Sequence, residues 1–463
     1  MNRKKVVVGI SGGVDSAVSA LLLKKQGFDV VGVHLYCWPP KSEIEKEGMT
    51  REEWIKKNGC RADEDRAAAL KTALELGIPF KVLDFSEEYN RKVISYFYDE
   101  YEKGRTPNPD VLCNSEIKFG LFLDWAIENG FDYVATGHYA KLTCDNLCLP
   151  TTSILENGNV VLPAQNATCC TAENPVITQE PCFSALRNLS KIDDGLRHCC
   201  HQSANPVSKG VGYGFDNYFH LNIPRDKHKD QTYFLWKLTQ KELARVLFPL
   251  GDLTKTEVRE IANQAGLSVA QRKDSQGICF VGNVDVKEFL ARRLKDNPGV
   301  VVNEKGEMLG KHNGVWHYTI GERGGWEMDS EAQKKYVTKY RTPIFYVVSK
   351  DAKSNILTVS EAGEATQDNF EVGEVNIISN TKWKMDDIRV RIRHGGELIG
   401  ARVEFIDIDS RLREYPRGND SVDKSKIRSI FVVLDKPMRG VASGQSAVFY
   451  SNEGEMLGGG AIR

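Results

Sequence analysis

Apolar positions in the first 140 residues follow two alternating rhythms. Short unbroken runs at 5–10, 30–35, 80–83 and 133–135 read as strands buried on both faces, while 16–26, 66–76 and 117–128 carry apolar residues at helical spacing. Gly27, Gly77 and Gly130 stand just past the helical stretches, where a left-handed residue can end a helix. The alternation predicts a parallel α/β sheet, and such sheets take ligands beyond the carboxyl ends of their strands. The loops after Ile10, Leu35 and Ala135 should therefore converge on one pocket.

From about 143 to 219 neither rhythm persists, charges thin out, and Asn, Ser, Thr and Pro accumulate, as expected of an insertion. Helical patterning resumes at 231–247 and at 255–265. Beyond 283 the apolar segments are short and β-like, at 345–348, 356–359, 390–392, 401–406, 430–434 and 447–450. At 463 residues the chain has room for about three domains. The expected division is a parallel α/β domain over 1–282 containing the insertion, a small connector over 283–358, and a β-barrel over 359–463.

Charge changes the picture little. Lys and Arg number 62 against 63 Asp and Glu, a net charge of −1, so an RNA partner would need a local basic surface. Arg389, Arg391 and Arg393 alternate along a β-like segment and are expected to line one such face. No apolar run approaches the roughly 20 residues of a membrane span, and the start runs into a strand without a cleavage site. A cytoplasmic chain with no membrane attachment is expected.

Of eleven cysteines, Cys144, Cys148, Cys169, Cys170, Cys182, Cys199 and Cys200 fall in the insertion, leaving Cys37, Cys60, Cys113 and Cys279. With His198 and His201 the insertion holds enough soft ligands for a metal, but no pair has C-x2-C spacing. No bound metal is expected, and an iron–sulfur thiolase is disfavoured on the same ground.

The strongest chemical signal is Gly9, Ile10, Ser11, Gly12, Gly13, Val14, Asp15 and Ser16, set between a strand and a helix. Two adjacent glycines let backbone N–H groups approach an anion, a hydroxyl at Ser11 or Ser16 adds a donor, and the helix points its positive end at the same place. The loop lacks the Gly-Lys-Ser/Thr ending of a Walker loop, so no lysine is aimed at the outer phosphates and γ-phosphoryl transfer is not expected. In the stretch 104–114, Gly-Arg-Thr-Pro-Asn-Pro-Asp-Val-Leu-Cys-Asn, two prolines stiffen the approach and Asp110 presents an acceptor. Cys113 stands there at the threshold of the 117–128 helix, where a helix N-terminus favours the thiolate.

The glycine loop resembles the SGGxDS loop of the PP-loop ATP pyrophosphatases. The 104–114 stretch resembles the TPNPDxxCN motif of the tRNA-specific 2-thiouridylases (MnmA/TrmU) within that superfamily. Further segments are similar to the same family: Lys-Asp-Ser-Gln-Gly-Ile-Cys-Phe-Val-Gly at 273–282, Thr-Gly-His-Tyr-Ala at 136–140, Lys-Asp-Gln-Thr-Tyr-Phe-Leu at 229–235, His-Tyr-Thr-Ile-Gly-Glu-Arg at 317–323, Arg-Ile-Arg-His at 391–394, Gly-Gln-Ser-Ala-Val-Phe-Tyr at 444–450 and Leu-Gly-Gly-Gly at 457–460. His394 stands where the family has Tyr, Ser443 where it has Pro, and some seventy residues replace a short hairpin between 140 and 229.

The resemblance implies ATP on the 9–16 loop, with Leu35 near the adenine and Gly137 against the nucleotide. It implies a flipped wobble uridine near Asn108, Pro109 and Asp110, and further tRNA contacts at His138, Lys229, Asp230, Gln231, Arg393, His394 and Gln445. It also implies a persulfide on Cys279, with Cys113 as the second thiol, either releasing sulfide from the persulfide or resolving it as a Cys113–Cys279 disulfide. The partners would be tRNA of the Lys, Glu and Gln anticodon class and a sulfur-relay protein or cysteine desulfurase. Mg²⁺ is expected because a triphosphate needs its charge neutralised. Two other readings remain at this point: an amidotransferase-type ligase of the same superfamily, and a non-catalytic nucleotide- or RNA-binding homologue inactivated by the insertion.

Overall fold

The computed structural model describes residues 3–58, 61–145, 218–273, 281, 285–337, 343–361, 366–381, 383–406 and 427–463, with the backbone of 153–154 and 160–161. The expectations placed on Cys279 and its motif at 274–280, and on Cys60, Cys148, Cys169, Cys170, Cys182, His198, Cys199, Cys200 and His201, lie outside the described residues.

The apolar runs become the strands β1 (Lys5–Gly9), β2 (Asp29–Tyr36), β3 (Phe80–Asp84) and β4 (Tyr133–Ala135). Within β1, Val6 and Val8 join one hydrophobic layer and Val7 the other, so both faces are covered and the run reads as continuous rather than alternating. The helices Val14–Lys25, Ala62–Leu76 and Lys255–Gln264 supply the first layer, while the segments Ser95–Glu102, Cys113–Leu121 and Phe122–Glu128 supply the second. After β5 (Lys141–Cys144), β6 (Ser153–Ile154), β7 (Val160–Val161) and β8 (Phe219–Asn222), the strand β9 (Val246–Leu247) completes the sheet. Its order is β3-β2-β1-β4-β9, parallel throughout. The order reverses between β1 and β4, the crevice where such sheets bind ligands. The insertion is bracketed by an antiparallel stem, with Lys141 opposite Asn222 and Cys144 opposite Phe219.

Two expectations fail here. The 231–247 stretch is not one helix but a 3-10 turn (Thr232–Leu235), a short helix (Gln240–Leu243) and β9. Tyr233, Leu235, Trp236 and Leu238 are all buried, so no polar face exists for a continuous amphipathic helix, and Thr239 with Glu242 forms a capping box that starts a new one. The arginine stripe also fails. Arg389 is exposed and donates to Asn452, whereas Arg391 is buried against Asp230, because a period of two fixes which face a residue takes but not whether water lies there.

The connector is a five-stranded sheet built from β10 (Gly299–Asn303), β11 (Met308–His312), β12 (Glu327–Met328), β13 (Tyr346–Asp351) and β14 (Ile356–Ser360), in the order β12-β11-β10-β14-β13. The strands β15 (Thr366–Ile377), β16 (Ile388–Arg391), β17 (Ile399–Ile406), β18 (Ser429–Arg439), β19 (Ser446–Tyr450) and β20 (Met456–Ile462) close a six-stranded antiparallel barrel. The fold class is thus α/β, with a parallel-sheet domain, a connector and a C-terminal barrel. Among the described residues no helix is long and apolar enough to cross a membrane.

Candidate active site

The glycine loop turns directly from β1 into the Val14–Lys25 helix. Gly13 is the N-cap and offers no side chain to the first-turn amides, which leaves them to an anion. The two serines differ in role. Ser16 is buried and braces the turn, its hydroxyl donating to the Gly13 carbonyl (3.1 Å) and accepting from Ser11 N–H (3.1 Å), while Ser11 is exposed. Ile10 is locked by its N–H to Val33 (2.7 Å) and by His34, whose Nδ1 lies 3.0 Å from the Ile10 carbonyl. Burial holds the His34 imidazole below its ordinary range, so it is neutral and donates from Nδ1. Leu35 is buried in the core layer that contains Cys113 and turns no side chain to solvent.

Three residues far along the chain complete the loop. Arg272 Nη1 donates to the Gly12 carbonyl (2.6 Å), and its other arm pairs with Asp65. A peptide's C=O and N–H point opposite ways, so pinning that carbonyl aims Gly13 N–H away from Arg272. Lys255 places its ammonium 2.8 Å from both carboxylate oxygens of Asp15, and Tyr139 donates its hydroxyl to the same carboxylate (2.9 Å). Sequence reading missed Arg272, Lys255 and His34. Gly137, expected against the nucleotide, packs against the start of the helix after the glycine loop, where a Cβ would lie 2.6 Å from Ser16 N. His138 is buried between Phe119 and Phe248 and bonded to Thr136; burial holds its imidazole well below the ordinary value. It presents no surface to an RNA.

The Asn-Pro-Asp run starts its helix earlier than expected. Asn108 is the N-cap, its side chain accepting from Asp110 N–H (3.1 Å), with Pro109 at the first position, and helical backbone then continues to Glu128. Cys113 is therefore not at a helix threshold but beyond the first turn, where the terminal dipole has faded, and it is 0% exposed. The Asn108 end still lies at the carboxyl edge of the sheet, since this helix runs antiparallel to β4, which it precedes.

The expected tRNA contacts divide into two groups. Asp110 and Lys229 are both near enough to His394 to act on its charge, and His394 lies against Phe234 with ring centroids 4.4 Å apart and planes tilted by 32°. Burial keeps the His394 imidazole below its ordinary value, against the pull of Asp230 and Asp110. Arg393 is exposed beside it. The other group faces inward. Asp230 is buried, bonding Thr232 through one oxygen and Arg391 Nη1 (2.6 Å) through the other. Gln231 exchanges hydrogen bonds with the Tyr139 backbone, its N–H donating to Tyr139 O and its Oε1 accepting Tyr139 N–H, each 3.0 Å. Gln445 uses its backbone to hold Ala442 and Ile462.

The 104–110 loop is where three parts of the chain meet. Thr106 N–H donates to the Ser443 carbonyl of the barrel (2.9 Å), a bond the family's proline could equally accept. Gly444, at φ +90°, fits only without a Cβ, which would lie 3.0 Å from Thr106 N. From the connector, Lys350 donates to Tyr318 O (2.7 Å) and reaches Thr106 Oγ1 (3.4 Å), and burial pushes its ammonium down to about 8. The unfolded chain keeps that proton to about pH 10. The unfolded state thus binds more protons above about pH 8, and stability rises with pH across that window. Lys350→Met should flatten the rise, as read by thermal melting of both proteins at about pH 7 and about pH 9.5.

Among the described residues no group of three or more His, Cys, Asp or Glu side chains is placed to hold a metal.

Comparison with known proteins agrees with this layout. Residues 4–158 and 200–283 match the family described as "tRNA methyl transferase HUP domain", 287–361 the "tRNA methyl transferase PRC-barrel domain" and 408–462 the "Aminomethyltransferase beta-barrel domain". The gap within the first match, 159–199, falls inside the insertion, and 362–407 lies between the second and third matches. The chain is 35% identical over 461 residues to "tRNA-specific 2-thiouridylase MnmA" of Lactobacillus gasseri, covering 99% of this chain and 95% of the relative. It is 36% identical over 468 residues to the protein of that name from Pediococcus pentosaceus, covering 100% and 95%. A solved structure of NMN synthetase from Francisella tularensis aligns with 29% of this chain and 44% of its own at 15% identity and TM-score 0.18, too slight an overlap for argument.

Proposed function

Since the chain belongs to the tRNA-specific 2-thiouridylase family, we propose that it consumes ATP to replace the 2-oxygen of the wobble uridine of tRNA with sulfur. The observation that carries this reading is the match to those relatives along 99% of the chain. Two matching domain descriptions speak of methyl transfer, but the full-length relatives are named for thiolation, and the loop at β1 is built to cradle a phosphate.

ATP would lie with its phosphates on the free amides of the Val14–Lys25 helix and its base toward the end of β2. The extruded uridine would sit by Asn108, Pro109 and Asp110. Its O2 attacks the α-phosphorus, the bond to the β-phosphate breaks with its electron pair on pyrophosphate, and the N3 proton passes to the Asp110 carboxylate. A persulfide on Cys279 then attacks C2 and AMP departs. Cys113 thiolate attacks Cys279 Sγ, leaving the outer sulfur on the base and a Cys113–Cys279 disulfide that an external thiol reduces. Mg²⁺ would neutralise the charge of the triphosphate. A sulfur-relay protein or cysteine desulfurase would load Cys279. The segments 1–282, 283–358 and 359–463 would serve as catalytic domain, connector and tRNA-binding barrel, working in the cytoplasm.

The test is to incubate the full chain with ATP, a sulfide source and unmodified tRNA of the Lys, Glu or Gln class and to measure 2-thiouridine by mass spectrometry. Product supports the reading; ATP turnover that ignores tRNA and gives no 2-thiouridine supports a ligase instead. In the same assay Gly137→Ala should raise the KM for ATP about 100-fold, because the new methyl displaces the helix start against which it would lie.

A further inference from the structure

Adenylation moves negative charge onto the departing pyrophosphate, and the loop from Gly9 to Ser16 contains no lysine or arginine to meet it. Among the described residues, two cations reach that loop from remote segments. Arg272 is committed, one arm on the Gly12 carbonyl and the other on Asp65. Lys255 is placed differently. Its ammonium sits on the carboxylate of Asp15, the second residue of the helix whose first-turn amides form the anion cradle. The side chains are 13% and 31% exposed, so one end of the pair opens to solvent.

We propose that Lys255 is a catalytic residue of this site, the cation that stabilises the pyrophosphate leaving group, with Asp15 and Tyr139 positioning its ammonium. This rests on the ATP-dependent reading above. Three observations support it. Lys255 contributes only its side chain here, because its own helix is closed by the Thr254–Glu257 capping box and its backbone N–H is taken by Asp226 (2.9 Å). Asp15 keeps the Tyr139 hydroxyl, 2.9 Å away, when the ammonium turns to a phosphate oxygen, so the exchange leaves no bare carboxylate. A partly exposed pair contributes at most about 1 kcal/mol to stability, which makes a purely structural reason for this placement weak. In the step itself uridine O2 bonds to the α-phosphorus, the bridging P–O bond breaks toward pyrophosphate and the N3 proton goes to Asp110. Lys255 transfers no proton; it offsets charge that grows as that bond lengthens.

The experiment measures single-turnover pyrophosphate release from ATP with unmodified tRNA for wild type, Lys255→Met, Lys255→Arg and the double variant Asp15→Asn/Lys255→Met, with a thermal melt of each. Lys255→Met should lower the rate at saturating ATP about 100-fold, and Lys255→Arg should recover much of it. The double variant should stay slow. If it recovers the wild-type rate, Lys255 only cancels the charge of Asp15 and the proposal is overturned; an unchanged rate in Lys255→Met overturns it as well. A wild type that releases no pyrophosphate with tRNA fails the thiouridylase reading itself, which is a separate result.

Discussion

Replacing Cys113 with serine should abolish 2-thiouridine formation, a loss of about 10³-fold or more, while tRNA-dependent pyrophosphate release should continue. On the proposed mechanism the two readouts separate, because adenylation would use the loop at β1, whereas sulfur transfer would need a thiol at the Asn108 end of the next layer. Cys113 is 0% exposed and belongs to the same buried core layer as Leu35, Trp38 and Phe122. A serine there buries a hydroxyl among apolar side chains, at a cost of about 1–3 kcal/mol unless it finds a partner, so a thermal melt accompanies the assay. Joint collapse of both reactions together with the melting temperature would mark Cys113 as a packing residue and defeat its role as second thiol. Complete burial also means that the thiol reacts only after its surroundings rearrange.

Asp230→Ala destabilises the chain by about 3–5 kcal/mol, because it strands the Arg391 guanidinium in a site from which water is excluded. The partners' side chains are 2% and 9% exposed, and Arg391 already has a buried Nε without a hydrogen-bond partner. Asp230→Ala also removes the acceptor that organises the Thr232 turn. Asp230→Asn keeps that acceptor and loses the charge, so denaturant melts should place it between wild type and Asp230→Ala. The double variant Asp230→Ala/Arg391→Met should recover part of the loss, since the unpaired charge is gone. Weakened tRNA binding with unchanged stability in Asp230→Asn would restore Asp230 to the RNA contacts.

What the sequence made legible follows from the range of the interactions involved. β1, β2 and β4 were readable because a strand covered on both faces leaves an unbroken apolar run, and the loop after β1 because its chemistry is carried by neighbouring residues. Cys113 was read as a helix threshold because Asn-Pro-Asp was taken as a stiff approach rather than as N-cap and first turn. The 231–247 stretch misled because side chains buried on all sides mimic helical spacing. Arg391 misled because alternation is blind to what covers a face. Lys255 and Arg272 were invisible for a different reason. They meet Asp15 and Gly12 across 240 and 260 positions, and no local pattern reports such a contact. The close approach that a glycine at 137 allows is seen at the helix start.

The paired strands β5 and β8 set the chain's departure and return side by side, with Cys144 facing Phe219. Bringing the two ends of a loop together costs only about 0.6 kcal/mol more for each doubling of its length. The ladder from Lys141 to Asn222 therefore acts as a graft junction: its two feet hold each other whatever length of chain joins them, and a reporter or affinity handle spliced between them should leave the crevice at β1 as it stands.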